Sequence, residues 1–239
     1  MTIKKLTALL LAVAMLFTLA ACDNAKGKDG GTTTTTTGNS NSTTTTTEDT
    51  TTTTTTASNE GTDAKAFAIG TNTGDTYENT FIGIGFKAEG DMELSSDEDI
   101  RDMNVMMMED EPADYLAALK ELDAITDMMA TDMTTGDSVN INLENMKVLY
   151  GSVLSESDYL DQNISMMEDM AEEGLTVEKA TFTLAGKERQ GVTIIMDIMG
   201  IKVYEAVVCI KVGDYMVNIT VGSSTEEGVP NLLAKFYAV

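Results

Sequence analysis

KVYEAVVCIKVGDYMVNITVG, Lys202 to Gly222, sets the architecture of this chain. Residues 203–212 and 215–221 are rich in Val, Ile and Tyr. They flank Gly213-Asp214, a tight pair that reads as a hairpin turn. A strand with one wet face alternates apolar and polar residues. These two are apolar on much of both faces, so their sheet must be covered on both sides. Cys209, within Val207-Val208-Cys209-Ile210, then reads as a small buried hydrophobe rather than a nucleophile.

Residues 177–184 and 190–199 read as further strands, broken at Ala185-Gly186-Lys187 and at Met199-Gly200. Thr134-Thr135-Gly136-Asp137 marks another hairpin. In its second strand Val139, Ile141 and Leu143 face inward while Asn140, Asn142 and Glu144 face out. The alternation in 81–86 puts Ile82, Ile84 and Phe86 on one face of a strand.

Helices are expected between these groups. Ser95 as N-cap with Glu98 three residues on forms a capping box, followed by Ile100, Met103 and Met107 at helical spacing. Pro112 suits the first turn of a second helix with the stripe Tyr115, Leu119 and Leu122. Ser155-Glu156-Ser157-Asp158 caps a longer helix that runs to Gly174 and buries Leu160, Ile164, Met167 and Met170. A closing helix over 230–237 carries Leu232, Leu233 and Phe236. The sum is an α+β domain over 64–239. Its antiparallel sheet has about six strands and is covered by helices on both faces, an α/β/α sandwich.

The first 63 residues differ in kind. Lys4 and Lys5 precede an apolar run, 6–19, too short to span a bilayer comfortably, and Leu19-Ala20-Ala21-Cys22 follows. That segment resembles the bacterial lipobox. The resemblance implies a signal peptide over 1–21, removal of it, and a diacylglyceryl group on Cys22 that holds the chain at the extracytoplasmic face of the cell membrane. An ordinary secretory signal with an incidental cysteine is the alternative. From 22 to 63 the composition collapses to Thr, Ser, Gly and Asn, a disordered low-complexity linker. Roughly forty such residues reach about 35 Å on average.

Composition excludes much chemistry. There is no histidine in 239 residues, so imidazole-based triads and zinc sites are ruled out. With Cys22 acylated, Cys209 has no partner for a disulfide. A net charge of −24 repels nucleic acid and suits a cationic partner, a basic peptide or solubility alone. The chain carries no phosphate-binding glycine loop, no HExxH and no GxSxG.

Three segments taken together carry a family resemblance. They are Tyr77-Glu78-Asn79 leading into Gly83-Ile84-Gly85-Phe86, Asp127-Met128-Met129-Ala130 before Val139-Asn140-Ile141, and Leu184-Ala185-Gly186-Lys187-Glu188. Behind a lipobox and a polar linker, they resemble Gram-positive bacterial lipoproteins with a PsbP/Mog-like C-terminal domain. That fold is named for a photosystem II extrinsic subunit and a nuclear-transport cofactor. The resemblance covers 76–239 and implies binding or assembly modules rather than enzymes. No functional residue of either protein matches here.

Other constellations read as structure first. Met103, Met106, Met107 and Met108, and Met166, Met167 and Met170, suit copper(I) chemically. At i,i+4 spacing they read as core filler, or as an adaptable groove for a peptide or lipid. Glu109-Asp110-Glu111 with Asp97, Asp99 and Asp102 is the densest acidic patch but lacks the loop calcium requires. A glycosidase pair of carboxylates finds nothing to place it across a cleft. Ser223 and Ser224 read as caps near a helix start. The expectation is a non-enzymatic, cofactor-free, metal-free envelope lipoprotein that binds an envelope protein or peptide, or assists assembly. The alternative is a small-solute or cation-binding capture protein associated with a transporter, marked by a deep pocket with converging polar groups.

Overall fold

The computed structural model describes residues 66–108, 112–151, 154–170, 174–198 and 200–239. The expected signal peptide 1–21, Cys22, the linker 22–63 and the acidic triplet Glu109-Asp110-Glu111 lie outside the described residues, as does the side chain of Met170.

The hairpin that turns at Gly213-Asp214 is central to the molecule. β9 (Ile201–Val212) and β10 (Tyr215–Ser223) pair antiparallel from Tyr215↔Val212 to Ser223↔Tyr204, and every residue of β10 is buried. They lie in a seven-stranded sheet ordered β4-β5-β6-β10-β9-β8-β7. The other members are β4 (Met92–Leu94), β5 (Ala124–Asp132), β6 (Ser138–Asn145), β7 (Leu175–Leu184) and β8 (Lys187–Ile198). All its pairings are antiparallel.

Each face has its own core. On the first, Ile141, Leu143, Val208, Ile210, Val217 and Ile219 pack with Leu119 of α2 (Tyr115–Leu119) and with Val229, Leu232 and Leu233 of α5 (Gly228–Leu233). On the second, Val192, Ile194, Val203, Val207 and Cys209 pack with Met146 of α3 (Met146–Tyr150) and with Tyr159 and Leu160 of α4 (Glu156–Met170). Helices thus cover both faces, as the two-sided apolar strands required.

The first face also carries a four-stranded sheet absent from the sequence expectation, ordered β1-β2-β3-β11: β1 (Thr71–Thr73), β2 (Thr76–Asn79), β3 (Ile84–Lys87) and β11 (Phe236–Ala238). The main sheet has seven strands rather than about six because the expectation omitted the short β4. The expected closing helix stops at Leu233, and Phe236 pairs with Phe86 across β11 and β3, their rings 4.9 Å apart. Nor is 81–86 one strand. Phe81, Ile82 and Gly83 turn about Asn79, whose Oδ1 accepts from the Phe81 and Ile82 N–H groups and whose carbonyl accepts from Gly83 at φ +71°.

Further up the chain, α1 (Asp97–Val105) starts one residue later than expected. Ser96 is its N-cap and Asp99 completes the capping box. The helix also ends before Met107, which is exposed, and buries Ile100 and Asn104 instead of an Ile100-Met103-Met107 stripe. Asp114 rather than Pro112 opens α2, its carboxylate accepting from Ala117 N–H at 3.0 Å. Ser155 caps α4 through Asp158 N–H at 3.1 Å, and Leu160 is buried with Ile164 and Met167 packed beside it.

Candidate functional site

Among the described residues three carboxyl groups are deeply buried: Asp127, Glu144 and Glu205. A buried carboxyl must be hydrogen-bonded, neutralised or waiting for a ligand, because desolvating an unpaired charge is costly. What surrounds each one sorts the three.

Asp127 is saturated. It sits where the β5–β6 register shifts between Thr126 and Met128, an irregularity that carries its side chain inward. Its Oδ1 accepts from the Gly70 backbone at 2.8 Å; its Oδ2 accepts from Asn79 Nδ2 at 2.6 Å and from the Tyr77 hydroxyl. Burial raises its pKa while those three donors oppose the rise. The arrangement ties β2 and the segment before β1 to β5, which is a structural task.

Glu144 is also served. On the second face, between β6, β10 and α4, its Oε1 accepts from Asn218 Nδ2 at 2.9 Å. The same amide donates to the Tyr159 hydroxyl at 2.6 Å, and Cys209 Sγ donates to Asn218 Oδ1 at 3.2 Å. Burial lifts Glu144 to about 7, against hydrogen bonds from Tyr159 and Asn218. Burial, reinforced by Glu144 and Glu156, pushes the Cys209 thiol far up, so Cys209 is inert, as its apolar surroundings suggested.

Glu205 differs. It is 1% exposed, yet its Oε2 has no hydrogen-bond partner among the described residues, and burial alone carries its pKa up to about 8. On β9 it stands directly across from Gly222 on β10, which stands across from Ser138 on β6; on its other side is Ile194 of β8. Glycine puts no side chain in the middle of that row. A Cβ at Gly222 would lie 3.1 Å from Ser138 Oγ and 3.6 Å from Glu205 Oε1. Two residues along, the next row on this face is Asn140–Thr220–Val207, and then Asn142–Asn218–Cys209. The second face of β6 and β10 is therefore a polar stripe running from Glu205 to Glu144, with Asn142 Nδ2 donating to Asn140 Oδ1 at 2.8 Å.

This stripe corrects the sequence reading of β6. Asn140, Asn142 and Glu144 do occupy the face opposite Val139, Ile141 and Leu143, but that face is buried, with Glu144 at 1%. Alternation reports which face a residue takes, not whether water reaches it. The signal that could have flagged Glu205 was a lone glutamate inside an otherwise apolar two-faced strand.

The other expected clusters do not converge. α1 packs against β5, whereas α4 packs against β7, β8 and β9, so the two methionine groups lie over different parts of the sheet. Met106 and Met107 are solvent-exposed, while Met103 and Met166 are half-buried. Asp97 accepts from Asn72 N–H at 3.0 Å and Asp99 caps α1, tasks that account for two acids of the patch. Among the described residues no group of three or more His, Cys, Asp or Glu could hold a metal. Ser223 accepts from Thr225 N–H at 3.1 Å, and Thr225 in turn accepts from Gly228 N–H, the first residue of α5; Ser224 donates to the Thr135 carbonyl. A surface hollow of about 310 Å³ lies over the β1–β2 hairpin, lined by Thr71, Thr73, Thr76 and Glu78. Among the described residues no helix is long and apolar enough to cross a membrane.

No protein-family model matches the chain, and no curated protein does. Among solved structures, the Saccharomyces cerevisiae Ran-binding protein Mog1p is similar over 66% of this chain and 90% of its own, at 10% identity and a TM-score of 0.35. Ran binding is said of that protein alone.

Proposed function

We propose that this chain is a non-catalytic binding module, an exported lipoprotein of a Gram-positive bacterium held at the outer face of the membrane by lipid on Cys22. Its working surface in this proposal is the polar stripe of β6, β10 and β9. The observation that carries it is Glu205, a buried carboxyl without a partner among the described residues, in a fold that satisfies Asp127 and Glu144. Natural folds rarely leave such a group idle, and a waiting ligand is one of the few explanations for one.

The stripe favours capture of a small polar solute over docking of a macromolecule. Its residues are largely withdrawn from solvent, as the lining of a small-molecule site is. A thermal-shift screen of polar solutes tests this, because a ligand specific for the native state must raise the melting temperature. The expected hit loses its effect in Asn140→Leu; a screen without any hit overturns the capture reading.

A second reading, docking of an envelope protein or peptide, finds support in β7. This ten-residue strand ends the sheet and pairs with β8 alone among the described residues, an edge suited to strand addition. Lysines at Thr181 and Thr183 should abolish such docking while leaving solute binding intact. The anchor is tested separately. Metabolic labelling with a fatty-acid analogue should mark the wild-type chain and not Cys22→Ser; equal labelling of both removes the anchor from the proposal.

A further inference from the structure

We infer that the row Ser138–Gly222–Glu205 binds a primary ammonium group, the charged head of a small amine, an amino sugar or a lysine side chain. This rests on reading the polar stripe as a solute site, and it names what the site takes.

Three observations converge. First, Glu205 Oε2 is unpartnered among the described residues at 1% exposure, and its strand neighbours cannot help it: Ile194 on β8 is apolar and Gly222 on β10 has no side chain. Second, the row and the one beside it offer oxygen acceptors, namely Glu205, Ser138, Thr220 and Asn140, with no lysine or arginine among them. A matching guest must bring both the positive charge and the hydrogen-bond donors. Third, Gly222 puts no side chain between the two oxygen-bearing residues of the row, with Ser138 Oγ 3.1 Å and Glu205 Oε1 3.6 Å from where its Cβ would stand. A nitrogen seated over the Gly222 Cα at van der Waals distance, farther out than that point, lies between the two oxygens and can reach both.

Charge and geometry select ammonium over a metal. One carboxylate balances one positive charge. Calcium demands six to eight oxygens and magnesium a near-ideal octahedron, and the described residues hold no group of three metal-ligating side chains. An ammonium carries three donors that two or three acceptors can satisfy, which is the number this row presents. Burial keeps the empty carboxyl protonated up to about pH 8, so at pH 7 binding exchanges a proton for the guest. The Glu205 carboxylic acid releases its proton to solvent and the resulting carboxylate pairs with the incoming ammonium.

The test is calorimetric titration of the purified protein at pH 7, in two buffers of different ionisation enthalpy. The probes are methylammonium, glucosamine and a lysine-containing peptide, with tetramethylammonium and potassium as controls. The expected result is at least tenfold tighter binding of one or more primary ammonium probes than of either control, with close to one proton released. That binding should weaken at least tenfold in Glu205→Gln and in Gly222→Ala, whose circular dichroism reports whether the fold is kept. The probe that binds tightest identifies the source. Equal binding of tetramethylammonium or potassium, or undiminished binding by folded Glu205→Gln, overturns the inference. If a neutral solute binds in an Asn140-dependent way while no ammonium does, the inference falls and the capture reading stands; if nothing binds, both fall.

Discussion

Asn104 clamps the backbone of Thr126. Its Oδ1 accepts from the Thr126 N–H at 2.9 Å and its Nδ2 donates to the Thr126 carbonyl at 2.8 Å. That peptide sits where the β5 register shifts, so a side chain replaces the ladder bonds that the irregularity interrupts. Truncation to Ala strands a buried donor and acceptor, each worth about 1–3 kcal/mol. Asn104→Ala should therefore lose about 2–4 kcal/mol in urea unfolding. A loss below about 0.5 kcal/mol would show that the clamp is dispensable.

Ala185 is the one described non-glycine residue with a left-handed backbone, at φ +48°, followed by Gly186 at +75°. The two make the tight turn between β7 and β8, where both central positions need positive φ. Alanine pays about 1 kcal/mol there. Ala185→Asn, which tolerates this conformation, should stabilise the protein by about 0.5–1 kcal/mol and raise the melting temperature by a few degrees. A fall in melting temperature would contradict this account of the turn.

How far the sequence could be read follows from where the information lay. The β9–β10 hairpin and the β7–β8 turn were legible because period and turn residues are local. The four-stranded sheet was not, since β11 at Phe236–Ala238 joins β3 about 150 residues earlier, and Leu232-Leu233-Ala234-Lys235-Phe236 keeps helical spacing past the helix end. The capping box was found one residue early because Ser95-Ser96 and Asp97-Glu98-Asp99 fit the pattern in two registers. Glu205 was missed altogether. Its meaning depends on Gly222 and Ser138, neighbours that only strand pairing supplies.

Stability should fall as the solution becomes alkaline. Burial raises Glu144 to about 7 and Glu205 to about 8 from an ordinary value near 4.5, so the folded state holds both protons more tightly than the unfolded chain. Their contribution is fully present below about pH 4.5 and is lost as pH rises through 7 and 8, to a total of several kcal/mol. Urea midpoints at pH 5.5 and 9 in matched salt should differ in that direction. Equal midpoints would mean that neither carboxyl is held neutral.

Cys209 should resist thiol reagents in the native protein. It is fully buried, and its pKa is raised by burial and by the nearby Glu144 and Glu156 carboxyls, leaving almost no thiolate. In Cys22→Ser, which leaves one thiol, labelling should proceed only at the rate of unfolding and become rapid in urea. Fast native labelling would show that α4 does not seal this part of the second face.

The account turns on Glu205 being kept unpaired for a ligand rather than held in a bond that supports the fold. Glu205→Gln removes the charge with almost no change in shape, so its unfolding free energy at pH 5.5 and pH 9 separates the two roles. At pH 9 the variant should be more stable than wild type by about 1–4 kcal/mol, because it no longer buries an unpaired carboxylate, and close to wild type at pH 5.5. A variant less stable than wild type at both pH values would make Glu205 a structural residue and contradict the account.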